Sequence, residues 1–189
     1  MHRTIVIAFS TLDGIIEDPD GTARTPNGGW AFRHGTEAVA GDKFKLGSIL
    51  ETGVLAFGHK TWRQFSNIWP SRTDEFSMTM NRIPKLVASR ATPDLSAWKN
   101  STLITGDPIE SIAERRTEQD VVVIGSASVV HALAAQDLVD EYRILVFPEV
   151  VGGGTKLFDS ETAPTRLHLH SAEVAVPAVL LRYERAAAR

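Results

Sequence analysis

Short apolar runs separated by turn residues recur along the chain and predict a series of β-strands. In the first two thirds, strands are expected at residues 4–9, 54–57, 85–89, 102–105 and 121–124. The run 121–124 consists of four β-forming residues with no polar alternation, which is typical of a strand buried on both faces. Such a strand indicates a parallel sheet that is covered by helices on both sides.

Helices are expected between these strands, at residues 36–50, 60–65, 108–116 and 126–135. Pro108 suits the first position of the third of them, because proline lacks the N–H that would be unpaired there. Residues 18–30 contain several prolines and glycines, which predicts a long loop that ends at Trp30. Residues 72–82 are polar and without periodicity, and we expect them to form a surface connection.

The last third of the chain has a different pattern. Residues 141–147, 166–174 and 178–184 alternate or run apolar, with only loops between them, which predicts antiparallel strands at a sheet edge. The whole chain is therefore expected to be one α/β domain, residues 1–189, with a mostly parallel central sheet and antiparallel C-terminal edge strands.

Composition narrows the function classes. The 189 residues are 43% hydrophobic and 23% charged, and the net charge of −3 gives no general attraction to nucleic acid or anionic membranes. No cysteine is present, so disulfides and thiolate metal sites are excluded. The N-terminal apolar run is too short for a signal or membrane-spanning helix, and a cytoplasmic protein is the expectation.

Two strand-to-helix turns carry residues suited to phosphate binding. The first contains Gly58, His59, Lys60 and Thr61, directly after the strand 54–57. Gly58 permits close approach of the backbone, Lys60 supplies a cation, and Thr61 supplies a hydroxyl near a helix N-terminus. A plain strand-to-helix turn with a surface lysine accounts for the same residues, so both interpretations stay open for this turn alone.

The second turn follows the most buried predicted strand and contains Gly125, Ser126, Ala127 and Ser128. Small residues at a helix start let a pyrophosphate approach the N–H groups, where the helix dipole contributes about 0.3–1 kcal/mol. Close packing of helix on strand is the alternative. Because ligands of open α/β sheets bind beyond the carboxyl ends of the strands, the two turns together predict one phosphate-binding edge.

A third strand end offers Ser89 and Arg90, whose hydroxyl and guanidinium suit another phosphate group, although a solvated arginine is the alternative. The strings G-x-G-x-x-G and G-x-x-x-x-G-K-[ST] do not occur, which disfavours an ordinary Rossmann dehydrogenase and a P-loop NTPase. The second turn lacks the second glycine of a G-x-S-x-G elbow, so a hydrolase is also disfavoured.

Among the acidic and histidine residues, two carboxylates are candidates for the substrate side. Asp13 stands at the end of the first strand, where a plain Asp-Gly turn is the alternative. Asp42 lies near a predicted helix start, where a dipole partner is the alternative. The histidines show no metal-ligand spacing with nearby carboxylates, and no metal site is expected.

The order of motifs resembles the dihydrofolate-reductase-like superfamily, and most closely the branch of the C-terminal reductase domain of bifunctional riboflavin biosynthesis proteins. The resemblance spans nearly the whole chain. Its motifs are Ser10-x-x-Asp13-Gly14, Gly28-Gly29-Trp30, Gly58-His59-Lys60-Thr61-Trp62, residues 85–89, 123–127 and 138–141, and Pro148-x-x-x-Gly152-Gly153-Gly154-x-x-Leu157-Phe158.

This resemblance implies a three-layer reductase fold that binds NADPH and commonly forms homodimers. Gly58, Lys60 and Thr61 would lie along the adenosine and pyrophosphate side, with Ser89 and Arg90 near the 2′-phosphate. The second turn would hold the pyrophosphate from the opposite helix. The nicotinamide would pass a hydride to an electron-poor ring or imine carbon, because the cofactor carries the chemistry and the protein positions the two rings.

On the substrate side, the resemblance implies a small pterin- or pyrimidine-like heterocycle, as for 5-amino-6-(5-phosphoribosylamino)uracil reductase. Asp13 is expected to hydrogen-bond the substrate, Trp30 to stack on its ring, and Asp42 to supply a proton. Two alternatives stay open: a genuine dihydrofolate reductase, and a non-catalytic nucleotide-binding dimer. The second rests on His59, which stands where the family motif carries arginine.

Overall fold

The computed structural model describes residues 2–159 and 162–186. Within these residues, eight strands form one sheet. The strands are β1 (Thr4–Thr11), β2 (Val54–Gly58), β3 (Lys85–Ala88), β4 (Ser101–Leu103), β5 (Val121–Gly125), β6 (Glu141–Phe147), β7 (Leu167–Ala175) and β8 (Ala178–Arg185). Their order across the sheet is β4-β3-β2-β5-β1-β6-β8-β7.

The strands from β4 to β6 are parallel to their neighbours, whereas β8 is antiparallel to β6 and β7 is antiparallel to β8. This arrangement confirms the predicted mostly parallel sheet with antiparallel edge strands. The prediction for residues 141–147 was half right, because β6 is antiparallel to β8 but parallel to β1. That strand therefore joins the two parts of the sheet.

Five helices accompany the sheet in the described residues: α1 (Ile49–Thr52), α2 (His59–Ser66), α3 (Glu75–Arg82), α4 (Pro108–Arg115) and α5 (Ala127–Ala135). Single 3-10 turns lie at Phe32–His34, Thr36–Ala38 and Trp69–Ser71. None of the described helices is long and apolar enough to cross a bilayer.

Alternate side chains of the central strands point to opposite faces of the sheet and build two cores. On one face, Val6, Val121 and Val123 pack with residues of α4 and α5. On the other face, Ile5 and Val122 pack with residues of α2 and α3. The helix-sheet-helix layering confirms the predicted three layers and leaves the carboxyl edge of the strands open for a ligand.

The helix predicted at residues 36–50 was wrong. The structure has a 3-10 turn at Thr36–Ala38 and then an irregular segment before the short helix α1. Gly41 and Gly47 have φ values of 73° and 55°, and Lys45 has a φ of 52°, all in the left-handed region. Such residues cannot continue a right-handed helix, so this loop buries Leu46 without helical periodicity.

The surface connection predicted at residues 72–82 was also wrong, because it contains α3. Asp74 caps this helix, since its side chain accepts a hydrogen bond from the Ser77 N–H. Met80 is buried under the sheet. An aspartate followed by glutamate is a recognised helix start, so the signal was present in the sequence.

Candidate functional site

A cavity of about 810 Å³ opens at the carboxyl edge of the parallel strands. Its walls come from the ends of β1 and β5, the first turns of α2 and α5, and parts of the loops at residues 16–23, 36–46 and 69–76. Pockets for small molecules and cofactors typically have volumes of about 300–1,000 Å³. The cavity is therefore large enough for such a ligand and lies where the fold class predicts one.

The two glycine turns meet at this edge because β2 and β5 are neighbours. A Cβ on Gly58 would lie 2.2 Å from Ser126 Oγ and 3.0 Å from the Ser126 nitrogen. A Cβ on Gly125, whose φ is 121°, would lie 3.2 Å from Thr61 Oγ1. The Gly125–Ser126 peptide is cis. Each turn thus packs against the other at a point where only glycine fits without displacement.

The helices that start at these turns have no acidic cap. Neither α2 nor α5 has a side-chain hydrogen bond at its N-cap or an acidic residue in its first turn. By contrast, Asp74 and Asp107 cap α3 and α4. The first N–H groups of a helix lack partners within it and carry positive partial charge. Two such ends side by side suit an anion such as a pyrophosphate.

Side chains add to this phosphate-compatible edge. Lys60 and Thr61 line the cavity, as do Gly125, Ser126, Ala127 and Ser128. The hydroxyls of Ser126 and Ser128 are 3.0 Å apart. Most of the predicted cofactor residues therefore meet in one place.

Four predicted cofactor residues, Gly58, His59, Ser89 and Arg90, are not among the residues that line the cavity. The His59 ring stacks on Trp62 at 6.2 Å between centroids. Ser89 and Arg90 follow β3, whose last residue Ala88 pairs with Gly58, so they continue the same edge by one strand. Ser89 Oγ accepts a hydrogen bond from the Ala91 N–H at 3.2 Å, and Arg90 is exposed.

Asp13 does not line the cavity, which corrects its predicted place beside the substrate. Its carboxylate accepts hydrogen bonds from the Thr11 hydroxyl and from the Gly152 N–H at 2.8 Å. The Thr11 hydrogen bond, followed by that of Gly152, lowers the pKa of the Asp13 carboxyl. In this structure Asp13 joins the end of β1 to the glycine-rich loop near residue 152.

Trp30 is likewise not positioned to stack on a ligand. Its side chain is fully buried, 0% exposed, among residues of β6 and β8. The indole Nε1 donates to the Glu17 carbonyl at 2.9 Å, and the ring meets Phe147 edge-on at 5.7 Å. Trp30 therefore fixes the loop at residues 18–30 to the core.

Asp42 does line the cavity, but both of its carboxylate oxygens are engaged. They accept hydrogen bonds from the Leu46 N–H at 2.9 Å and the Gly47 N–H at 2.8 Å. Of the three residues predicted for the substrate side, Asp42 alone reaches the cavity. Its contacts are those of a loop anchor rather than of a proton donor.

Sequence reasoning missed Asp18, the centre of the long loop. Its side chain is buried and accepts hydrogen bonds of 2.9 Å from the N–H groups of Ala23 and Thr25 and from the Thr25 hydroxyl. Burial raises the pKa of this carboxyl, but these hydrogen bonds outweigh it and the pKa is lowered. A Cβ on Gly28 would lie 2.1 Å from Asp18 Oδ2, so the loop closes tightly around the carboxylate.

Replacing Asp18 with asparagine is expected to destabilise the fold by about 1–3 kcal/mol. The side-chain nitrogen of asparagine is a donor, so it cannot accept the hydrogen bonds that the carboxylate oxygen in its place accepts from Ala23 or from Thr25. Urea unfolding measures the loss, and limited proteolysis should show faster cleavage within residues 18–30. Asp20→Asn is the matched control, because Asp20 accepts hydrogen bonds from the exposed Thr22. Equal stability of both variants would contradict the role given to Asp18.

An aromatic surface that was not predicted forms another part of the cavity wall. Phe9 and Phe44 stack on each other with centroids 5.4 Å apart and ring planes 19° apart. Phe32 lines the same cavity and is 40% exposed. Phe9 belongs to β1, so this surface lies on the β1–β6 side of the phosphate-compatible turns. Only the folded loop at residues 41–47 brings Phe44 to Phe9, which the sequence could not show.

A second aromatic group lies on the α2–α3 side of the cavity. Trp69 contacts Phe65 and Phe76 edge-on, and the Arg72 guanidinium sits over its ring at 5.4 Å. The Trp69 Nε1 atom is buried and has no hydrogen-bond partner in the described part of the chain. This group therefore forms an aromatic wall of the cavity on the α2–α3 side.

Within residues 2–159 and 162–186, no three His, Asp or Glu side chains form a group that could hold a metal ion.

Comparison with known proteins identifies the family. A model of the RibD C-terminal domain matches residues 3–181. The chain belongs to the RibD C-terminal domain family. The uncharacterized protein YwjB of Bacillus subtilis (strain 168) is 36% identical over 67 residues, which cover 35% of this chain and 38% of YwjB. The matched segment thus spans well under half the length of that relative.

Solved structures show the same fold as this RibD C-terminal domain. A putative riboflavin biosynthesis protein from Shewanella sp. PV-4 superimposes with a TM-score of 0.75 at 19% identity, covering 97% of this chain and 99% of the other. A Thermotoga maritima diaminohydroxyphosphoribosylaminopyrimidine deaminase/5-amino-6-(5-phosphoribosylamino)uracil reductase superimposes with a TM-score of 0.62 at 14% identity. That match covers 98% of this chain and 57% of the bifunctional protein.

Proposed function

We propose that this RibD C-terminal domain is an NADPH-dependent reductase of a small pterin- or pyrimidine-like heterocycle. The observation that carries the proposal is the contact between the two glycine turns, which brings two uncapped helix N-termini to one cavity. Family membership favours a reductase similar to those of the riboflavin pathway.

The residues present fit a dinucleotide phosphate. The N–H groups at the starts of α2 and α5 would hold the pyrophosphate, because their positive dipole ends have no acidic cap. The Lys60 ammonium and the Thr61 hydroxyl line the same part of the cavity. Arg90, one strand further along the edge, would pair with the 2′-phosphate that distinguishes NADPH from NADH.

NADPH, when bound, would supply the hydride, and the protein would position the acceptor ring against it. With phosphates over β2 and β5, the acceptor lies on the β1–β6 side, because β1 is the next strand in the sheet. Asp42 cannot easily protonate a substrate while both of its oxygens accept backbone hydrogen bonds. The structure therefore adds no observation in favour of a genuine dihydrofolate reductase.

The proposed activity is tested by the loss of NADPH absorbance with a panel of oxidised or dihydro pterins and of pyrimidines that includes 5-amino-6-(5-phosphoribosylamino)uracil. We expect at least one of these compounds to be reduced with NADPH, at a ring or imine carbon, and more slowly with NADH. Binding of NADPH without turnover of any compound in the panel would contradict the reductase and favour a nucleotide-binding scaffold. Purified chain without added ring is the control for background oxidation.

Substitution of the cations is expected to change cofactor preference. Lys60→Ala and Arg90→Ala should each weaken NADPH binding by about tenfold, since a hydrogen bond to a charged group contributes about 1.5–3 kcal/mol. Arg90→Ala should weaken the binding of NADH less, because NADH lacks the 2′-phosphate, whereas Lys60→Ala should weaken both cofactors, because both carry the pyrophosphate. Calorimetric titration of both cofactors measures the difference, and equal losses for Arg90→Ala would refute its 2′-phosphate role.

We also propose a homodimer. The edge strand β7 leaves Leu169 57% exposed and Val174 82% exposed, which is unusual for an edge that stays in water. Light scattering after size exclusion tests this proposal, and a mass of one chain at micromolar concentration would refute it.

A further inference from the structure

We propose that the stacked pair Phe9 and Phe44 is the face on which the flat, uncharged ring of the substrate binds, and that Arg143 is its positioning residue. The proposal rests on the reductase function proposed above. It assigns to the substrate ring the part of the cavity that the phosphate-compatible turns do not line. It also gives a role to a buried arginine that cofactor binding does not use.

Arg143 connects the core to the loop that carries Phe44. Its side chain is 2% exposed, and Nε donates to Glu141 Oε1 at 2.7 Å. From the same guanidinium, Nη1 donates to the Phe44 carbonyl at 3.0 Å and to the Lys45 carbonyl. Because a guanidinium is planar, anchoring Nε on Glu141 fixes the direction in which Nη1 points.

The loop at residues 41–47 needs such a contact, because it lacks regular hydrogen bonding. Lys45 has a φ of 52°, a strained conformation that a non-glycine residue keeps only when its surroundings hold it there. Asp42 holds the loop by accepting from the Leu46 and Gly47 N–H groups. Arg143 holds its carbonyl side, so the place of the Phe44 ring is set from both sides.

The chemistry of this surface favours a flat heterocycle. Phe9 and Phe44 are both partly exposed and line the cavity, and Phe32 adds a ring that is 40% exposed. Among the cavity residues of the same loop, Thr36, Val39 and Ala40 carry no charge, whereas Asp42 and Lys43 are charged. The Asp42 carboxylate already accepts hydrogen bonds from two backbone N–H groups. Stacking of a base on an aromatic side chain contributes about 1–3 kcal/mol and requires only a π-face. Aliphatic or strongly anionic groups gain little from such a surface.

The test measures binding of two ring probes, pterin and 5,6-diaminouracil, to the whole chain saturated with NADPH. We expect saturable binding of at least one probe. Phe44→Ala should weaken it by about tenfold, the loss of one stacking contact. Arg143→Lys, which keeps the charge beside Glu141 but not the planar fork, should weaken the same probe while the NADPH affinity stays unchanged. The double variant should be no weaker than Phe44→Ala alone.

Arg182→Lys is the matched control, because Arg182 also donates to Glu141 Oε1, whereas no hydrogen bond from it to the loop at residues 41–47 occurs within residues 2–159 and 162–186. A purely structural role for Arg143 predicts lower thermal stability in both arginine variants with unchanged ring affinity, which would overturn the proposal. Ring binding that is absent in the wild type, or additive losses in the double variant, would also overturn it. If Arg143→Lys and Arg143→Gln both fail to fold, Arg143 is a general folding determinant, and the positioning role is refuted.

Failure of the reductase proposal looks different in the same experiment. A chain that shows no NADPH binding refutes the cofactor site, whether or not the rings bind. If the chain binds NADPH normally and Phe44→Ala leaves the affinity for the ring probes unchanged, only the ring-binding face is refuted.

Discussion

Replacing Glu141 with glutamine is expected to destabilise the folded chain by about 3–5 kcal/mol, the usual cost of removing one partner from a buried ion pair. The Glu141 side chain is 0% exposed and lies at the start of β6. Three arginines converge on it. Arg143 and Arg182 donate to Oε1 at 2.7 and 2.9 Å, and Arg3 lies 2.7 Å from Oε2.

The size of this effect follows from what the substitution leaves behind. A neutral amide cannot balance the Arg143 guanidinium, whose side chain is 2% exposed, and a buried unpaired charge is strongly unfavourable. Domains of this kind are stable by only about 5–15 kcal/mol in total. The midpoint of urea unfolding should therefore fall markedly, as followed by far-ultraviolet circular dichroism.

Glu184→Gln is the control for this prediction. Glu184 lies 3.6 Å from Arg3, but its side chain is 41% exposed, and exposed ion pairs contribute about 0–1 kcal/mol. If the two glutamine variants were equally stable, Glu141 would not be the centre of a buried network.

The buried Glu141 carboxylate also predicts how the free energy of unfolding changes with pH. Burial raises the pKa of its carboxyl, but hydrogen bonds and charges of Arg143, Arg182 and Arg3 outweigh it and the pKa is lowered. The folded chain then binds fewer protons than the unfolded chain as the pH falls through the ordinary glutamate range, so its free energy of unfolding decreases there. Glu141→Gln should show a shallower loss on acidification than the wild type.

Placing alanine at Gly58 is expected to reduce NADPH affinity by about tenfold or more. The added Cβ would lie 2.2 Å from Ser126 Oγ, 3.0 Å from its nitrogen and 3.1 Å from its Cβ. The hydroxyl can rotate away, but the backbone contacts must be relieved by moving the turns apart. Loss of one N–H hydrogen bond to a charged phosphate costs about 1.5–3 kcal/mol, which corresponds to about a tenfold to hundredfold weaker complex.

Gly153→Ala is the control for this change, because a Cβ there would meet no atom within 4 Å. It should leave NADPH affinity unchanged in the same calorimetric titration. Unaltered affinity in Gly58→Ala, together with normal folding, would show that the contact between the turns does not serve the cofactor.

The central sheet could be predicted from the sequence because its signals are local. The apolar run at residues 121–124 corresponds to β5, which is buried on both faces. Gly58 and Gly125, the last residues of β2 and β5, indicated the turns at the ends of these strands. The strand order could not be predicted, because it depends on contacts between residues far apart in the chain. The close approach of Gly58 to Ser126 could not be predicted for the same reason.

The errors arose where tertiary contacts override local pattern. The apolar residues Val39, Phe44, Leu46 and Ile49 are spaced loosely as in a helix. Asp42 and Arg143 nevertheless hold this segment in an irregular conformation. Trp30 follows two glycines, a pattern typical of a flexible loop, yet its ring is buried among residues of β6 and β8. The phosphate-compatible turns were predictable because glycines and helix starts mark them in the sequence. On the substrate side, the direction of each side chain determines whether it reaches the cavity, and tertiary packing sets that direction.

Dinucleotide binding at the two glycine turns is tested most directly by thermal unfolding of the wild-type chain with NADPH, with NADH and without cofactor. At a hundred times its dissociation constant, a ligand stabilises the folded state by about 2.7 kcal/mol. For a chain of this size we predict that NADPH raises the midpoint by about 5–10 °C and that NADH raises it less. No shift with either cofactor at millimolar concentration would contradict the claim that the two glycine turns bind a dinucleotide.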